Sequence, residues 1–135
     1  MRSFIDTNVL VYADDGDDRT KQSMATDLIE THLRARSGVI STQVLQEFVN
    51  TALRKLLLPV ELIRARLALY RRFDVVSAST DLVISALDIH VLHRISYWDA
   101  LIVQAARQSG CVQLLTEDMN AGSTLAGVRL VNPFA

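Results

Sequence analysis

The chain opens on a short apolar run, Phe4 and Ile5, that stops abruptly in Asp6, Thr7 and Asn8. Such a run predicts a central buried strand that delivers polar side chains at its carboxyl end. Val9 to Ala13 predicts a short helix, and Asp14 to Asp18 a charged, glycine-containing turn. Between Lys21 and Leu33 the apolar residues Met24, Ala25, Leu28, Ile29 and Leu33 recur at helical spacing, the pattern of an amphipathic crossover helix. Gly38 to Ser41 reads as a second strand. Ser41 or Thr42 is placed to cap a helix whose core stripe is Leu45, Phe48, Val49, Ala52, Leu53 and Leu56. Pro59 suits the first turn of a helix over Val60 to Arg72. Phe73 to Ser77 predicts a short strand, and Ser79, Thr80 and Asp81 start a helix over Leu82 to His93. Ser96, Tyr97, Trp98 and Asp99 open the next helix, which Gly110 ends. Val112 to Thr116 is another apolar strand, and Leu130 and Val131 add a last one before Asn132.

Strands alternating with helices of crossover length imply an α/β fold of three layers, α/β/α, with a mainly parallel central sheet. In such sheets ligands bind outside the carboxyl ends of the strands. Four acidic residues fall there or just beyond: Asp6, Glu47, Asp99 and Asp118. Three of them have an ordinary explanation when taken alone. Asp6 suits a turn and Asn8 a helix cap. Glu47 lies about one and a half turns into its helix and suits a solvent face. Asp99 suits a capping box, where the helix dipole favours its charge. Together, uncompensated carboxylates at one sheet edge repel one another, and a cation is the usual reason for such a cluster. Oxygen-only ligation selects Mg²⁺ or Mn²⁺ over Zn²⁺. Carboxylate-held Mg²⁺ serves phosphoryl transfer and phosphodiester cleavage, in which the metal activates water and no protein nucleophile is required. The chain carries no GxSxG elbow, P-loop or GxGxxG fingerprint.

Composition narrows the setting. The chain has 135 residues, half of them hydrophobic, with 2 Pro and 5 Gly, which fits one domain over residues 1–135 rather than a linker-rich or disordered chain. A formal net charge of -1 gives no global sign of a nucleic-acid partner. One region differs: Arg54, Lys55, Arg64, Arg66, Arg71 and Arg72 face a single acid, Glu61, a local charge of about +5. It is suited to phosphate contact, and equally to a solvated helix face. No apolar run reaches membrane-spanning length and an acid stands at position 6, so a soluble cytoplasmic protein with no membrane association is expected. The lone Cys111, between Gly110 and an apolar run, reads as structural. His90 and His93 share a helix face but have no third nitrogen or sulfur ligand nearby. The acids of the 14–18 turn lack the spacing of a calcium loop.

The blocks Phe-Ile-Asp-Thr-Asn-Val-Leu (4–10), Gln-Val-Leu-Gln-Glu-Phe (43–48), Tyr-Trp-Asp-Ala-Leu-Ile (97–102) and Leu-Leu-Thr-Glu-Asp-Met (114–119) occur in this order. Together they resemble the PIN-domain ribonucleases, above all the VapC toxins of bacterial toxin–antitoxin modules, over nearly the whole chain. The resemblance implies that Asp6, Glu47, Asp99 and Asp118 hold one or two Mg²⁺ or Mn²⁺ ions. It implies that Thr7, Asn8 and Thr116 orient the site by hydrogen bonds. Glu117 competes with Asp118 for the fourth acidic role, and the family's Thr-x-Asp pattern favours Asp118. The resemblance further implies an endoribonuclease toxin acting on single-stranded or structured RNA such as transfer RNA, a homodimer, and a small antitoxin that blocks the site.

Other readings fit less well. An aspartate-nucleophile phosphatase needs a second Asp two residues after the first, where this chain has Asn8. A receiver domain needs paired early acids and a late Lys, and the lysines here are Lys21 and Lys55. A catalytically inactive PIN-like domain that binds RNA or acts as a scaffold has no reason to keep four mutually repelling acids.

Overall fold

The computed structural model describes residues 1–135. Its centre is β1 (Ser3–Ile5), whose residues are all buried. A strand covered on both faces has no solvent-facing side, which is why Phe4 and Ile5 follow one another without polar alternation. Strand β1 is paired in parallel with β2 (Gly38–Ser41) on one side and with β4 (Gln113–Leu115) on the other. Outside these lie β3 (Asp74–Val76), parallel to β2, and β6 (Val128–Val131), parallel to β4. The short β5 (Thr124–Leu125) closes the edge antiparallel to β6. The sheet order is β3-β2-β1-β4-β6-β5. The strand order reverses about β1 and β4, and such switch points open a crevice at the carboxyl ends of the strands.

Six helices cover the sheet: α1 (Thr7–Ala13), α2 (Arg19–Ala35), α3 (Thr42–Arg54), α4 (Val60–Tyr70), α5 (Thr80–His93) and α6 (Tyr97–Gln108). The three-layer, mainly parallel architecture expected from the pattern is present. The core joins Phe4, Ile5, Val39, Ile40, Leu114 and Leu130 of the strands to Val9, Leu10, Phe48, Ile102 and Val103 of the helices. No helix is long and apolar enough to cross a membrane.

Several elements depart from their expected form. Helix α1 starts at Thr7, because the Asp6 carboxylate accepts a hydrogen bond from the Thr7 N–H and caps the first turn. In α3 the fully buried residues are Val44, Phe48 and Ala52, while Leu45 and Val49 only flank the core and Leu53 is exposed. The core face is thus rotated from the expected stripe toward Val44, beside the Ser41 cap. Helix α2 continues to Ala35, ending on Arg36 in a left-handed conformation, and α4 stops at Tyr70, before the expected Arg72. Strand β3 is shorter than Phe73 to Ser77, and β5 carries no apolar alternation that marks it in the sequence. In α6 the residues from Ala100 to Ala106 are all buried, so this helix runs through the core and not over it.

Candidate active site

Local chemistry fixes each acid in place. The Asp6 backbone N–H continues the ladder to Leu115 O at 3.0 Å, which puts the residue at the shared end of β1 and β4. One carboxylate oxygen, Oδ1, accepts from the Thr7 N–H at 2.7 Å. The other, Oδ2, accepts from the Thr116 hydroxyl at 2.7 Å. Asp6 is 6% exposed, and its carboxyl is pushed up to about 6. Burial is the main cause, the charges of Glu47 and Asp118 add to it, and the bonds from Thr116 and Thr7 oppose it.

Thr116 is a junction. Its hydroxyl donates to Asp6 and accepts from Asn8 Nδ2 at 3.3 Å and from the Asp118 N–H at 3.2 Å. The same Asn8 amide donates to Asp118 Oδ2 at 3.0 Å, and Asn8 Oδ1 accepts from the Glu117 N–H at 3.3 Å. Asn8 therefore orients the turn after β4 from both sides. On α3, Glu47 Oε1 accepts from the Thr7 hydroxyl at 2.6 Å and Oε2 from Gln43 Nε2 at 3.2 Å. Gln43 also donates to the Trp98 carbonyl at 3.1 Å, tying α3 to the start of α6. There the Asp99 N–H donates to the Ser96 hydroxyl at 3.1 Å, the capping arrangement expected of this sequence. Burial raises the Asp99 carboxyl above its ordinary value; Ser96 opposes the shift, and the charges of Asp118 and Glu47 add to it.

Asp6, Thr7, Asn8, Glu47, Thr116 and Asp118 thus form one hydrogen-bonded neighbourhood, which Asp99 joins through its charge. Glu47, Asp118, Thr7 and Asn8 line an open cleft of about 480 Å³. A larger groove of about 810 Å³ lies between α3 and α4, but its lining carries arginines and no carboxylate. The ion pairs of the protein are Arg2–Asp74, Lys21–Glu117, Arg64–Glu61 and Arg66–Asp14. None reaches Asp6, Glu47, Asp99 or Asp118, so no lysine or arginine forms an ion pair with these acids. That donor set, all oxygen and all anionic, fits a hard divalent cation. As the side chains stand, no three of them close into a ready-made metal cage.

The neighbouring Glu117 has a different setting. Lys21 Nζ reaches its Oε2 at 2.6 Å and the Tyr12 hydroxyl donates to its Oε1. These bonds, Lys21 first, hold its carboxyl below the ordinary range. Gln43, Tyr12 and Lys21 escaped the sequence reading. For Gln43 a signal exists, since residues four apart on a helix share a face with Glu47; the meeting of Lys21 with Glu117 is long-range and leaves no local trace.

The other candidates resolve simply. His90 Nδ1 lies 2.6 Å from the Ile95 carbonyl and belongs to no metal-ligating group. Cys111 is buried, which pushes its thiol up, as suits a structural residue. In the 14–18 turn, the Asp14 side chain is 6% exposed and accepts a forked bond from Arg66, while Asp18 caps α2. The basic region divides accordingly. Arg66 is spent on Asp14 and Arg64 sits 3.8 Å from Glu61, whereas Lys55 lines the acidic cleft.

A family model described as PIN domain matches residues 3–122. No curated protein matches the chain. Solved structures match in fold over nearly the full length. A toxin–antitoxin complex from Klebsiella pneumoniae is 21% identical, covering 97% of each chain, with a TM-score of 0.70. A DNA-bound VapBC from Salmonella typhimurium is 18% identical, covering 96% of each chain, also at 0.70. VapC20 of Mycobacterium tuberculosis, a sarcin–ricin loop cleaving toxin, is 21% identical, covering 94% of this chain and 98% of its own, at 0.70.

Proposed function

This chain belongs to the PIN domain family, and from that premise we propose that it is the endoribonuclease toxin of a toxin–antitoxin module, acting in the cytoplasm with Mg²⁺ or Mn²⁺. The observation that carries the reading is the set of acids without cationic partners, gathered at the carboxyl ends of β1 and β4. PIN nucleases generally use divalent metal ions. Asp6, Asp99, Glu47 and Asp118 are the residues that would hold the ion here. A bound Mg²⁺ or Mn²⁺ lowers the pKa of water and neutralises charge on the phosphodiester. The protein's part is orientation. Thr116 and the Thr7 N–H fix both oxygens of Asp6, Thr7 and Gln43 fix both oxygens of Glu47, and Asn8 fixes Asp118. Lys55, on the cleft wall, is suited to a substrate phosphate.

RNA is the proposed substrate, with transfer RNA one candidate from the family resemblance; a solved structure of like fold is a toxin that cleaves another structured RNA element, the sarcin–ricin loop. A small antitoxin is the proposed partner, since the solved structures of like fold include toxin–antitoxin complexes. A homodimer completes the reading. Val83, Ile84, Leu87 and Val91 are exposed on α5 at helical spacing, an apolar face that self-association would cover. The test is incubation of RNA with the purified protein. Cleavage in Mg²⁺ or Mn²⁺, abolished by a chelator, is expected; cleavage that survives the chelator contradicts the reading.

A further inference from the structure

Two carboxylates, Glu117 and Asp118, follow one another after β4, and both line the acidic cleft. They are treated very differently. The Asp118 carboxylate receives only the neutral Asn8 amide. The Glu117 carboxylate is occupied at both oxygens, by the Lys21 ammonium at 2.6 Å and by the Tyr12 hydroxyl. Lys21 is itself held in place, with its Nζ 3.4 Å from the Tyr12 hydroxyl, 4.9 Å from the centre of the Tyr12 ring and 5.9 Å from that of Phe134. The Tyr12 and Phe134 rings meet edge to face at 5.0 Å. The Glu117 N–H is fixed separately by Asn8. Both ends of this residue are therefore pinned, its side chain toward α1 and α2.

We infer that Lys21 and Tyr12 are positioning residues that occupy the Glu117 carboxylate at the wall of the acidic cleft, so that the turn after β4 offers Asp118 alone to a divalent cation. The inference rests on the metal-dependent reading above. A free Glu117 beside Asp118 is a further oxygen ligand and a further negative charge, and ligand number and charge set affinity at such sites. The Lys21–Glu117 pair thus fixes which of two adjacent acids is available.

The test is Mn²⁺ binding to the purified full chain, read as the loss of free Mn²⁺ signal by electron paramagnetic resonance. It is run in about 1 M salt, where the Debye length is about 3 Å and the distant effect of removing one lysine charge is suppressed. Lys21→Met is expected to bind Mn²⁺ at least about threefold more tightly than wild type, or to take up a further equivalent. Glu117→Gln and the double variant are expected to bind as wild type, because no carboxylate is released in either. Lys21→Arg keeps the cation and is expected to restore wild-type binding. Tyr12→Phe removes one hydroxyl without changing charge, and it is expected to shift affinity in the same direction by less. It also carries the test if Lys21→Met does not fold. Equal binding by wild type, Lys21→Met and Tyr12→Phe overturns the inference, as does tightening that persists in the double variant. Failure of wild type itself to bind Mn²⁺ overturns the metal reading, and the inference with it.

Discussion

Asp6 carries two roles that pull in opposite directions. It is the N-cap of α1, which favours the carboxylate, and it is buried beside Glu47 and Asp118, which disfavours it. Burial wins, and the folded-state value of about 6 stands above the ordinary 3.8. The sign of the linkage follows. Between these values the folded protein holds a proton that the unfolded chain has released, so metal-free stability falls as pH rises through this window. The loss is complete above the folded value and amounts to roughly 3 kcal/mol at 1.36 kcal/mol per pH unit. Asp6→Asn, which removes the charge, is expected to melt higher than wild type at pH 7 without metal, and to lose that advantage near pH 4. Thermal melts of both proteins at the two pH values check this; a mutant less stable at pH 7 contradicts the balance of effects. Asp6 was legible in the sequence because a polar residue directly after a buried strand has few places to go. The engagement of Glu117 was not, since it depends on Lys21 arriving from α2; in the sequence the preference for Asp118 rests on the Thr-x-Asp resemblance alone.

At the scale of elements, periodicity located the helices and main strands, and its failures have physical causes. On α3 the apolar residues cover more than one face, so the sequence alone does not select which face turns to the sheet. The Ser41 cap and the Phe48–Tyr70 contact, with ring centroids 5.3 Å apart, settle it on Val44, Phe48 and Ala52. Helices α2 and α5 end on Arg36 and Arg94 in the left-handed conformation, where glycine is the usual signal, so their ends are poorly marked. Close packing is equally hidden. A Cβ on Gly38, at the start of β2, lies 2.5 Å from the ring of Phe73, which is itself buried. Gly38→Ala is therefore expected to destabilise by about 1–3 kcal/mol, the usual cost of overpacking. Denaturant titration measures it, and an unchanged midpoint contradicts the contact.

Across the whole molecule, a six-stranded sheet brings together acids that are up to 112 positions apart in the chain, from Asp6 to Asp118. Their mutual repulsion and the cation binding proposed for them give coupled expectations. Without metal, Asp99→Asn is expected to be neutral or stabilising, because burial and like charges already raise the Asp99 carboxyl. Wild type is expected to gain about 2.7 kcal/mol from Mn²⁺ at a hundredfold excess over the dissociation constant. The mutant is expected to lose most of that gain. If Asp99 serves only as a cap, its loss costs about 1 kcal/mol with or without metal and the response to Mn²⁺ survives. The apolar face of α5 gives a separate expectation: Leu87→Glu, at a residue 53% exposed, yields a monomer in light scattering if that face joins two copies. An unchanged mass removes α5 from the interface.

On the function proposed above, four particular acids make this chain a metal-dependent ribonuclease. The most direct test is single-turnover cleavage of a labelled RNA in Mg²⁺ by wild type, Asp6→Asn, Glu47→Gln, Asp99→Asn, Asp118→Asn and Glu117→Gln. Losses on the order of a hundredfold or more are expected for the first four variants, comparable to the removal of other electrostatic contributors to catalysis. Glu117→Gln is expected to stay within about threefold of wild type, since its carboxylate is already engaged by Lys21 and Tyr12. Wild-type cleavage by Asp6→Asn or Asp99→Asn, or a loss in Glu117→Gln that Asp118→Asn does not share, would contradict the account.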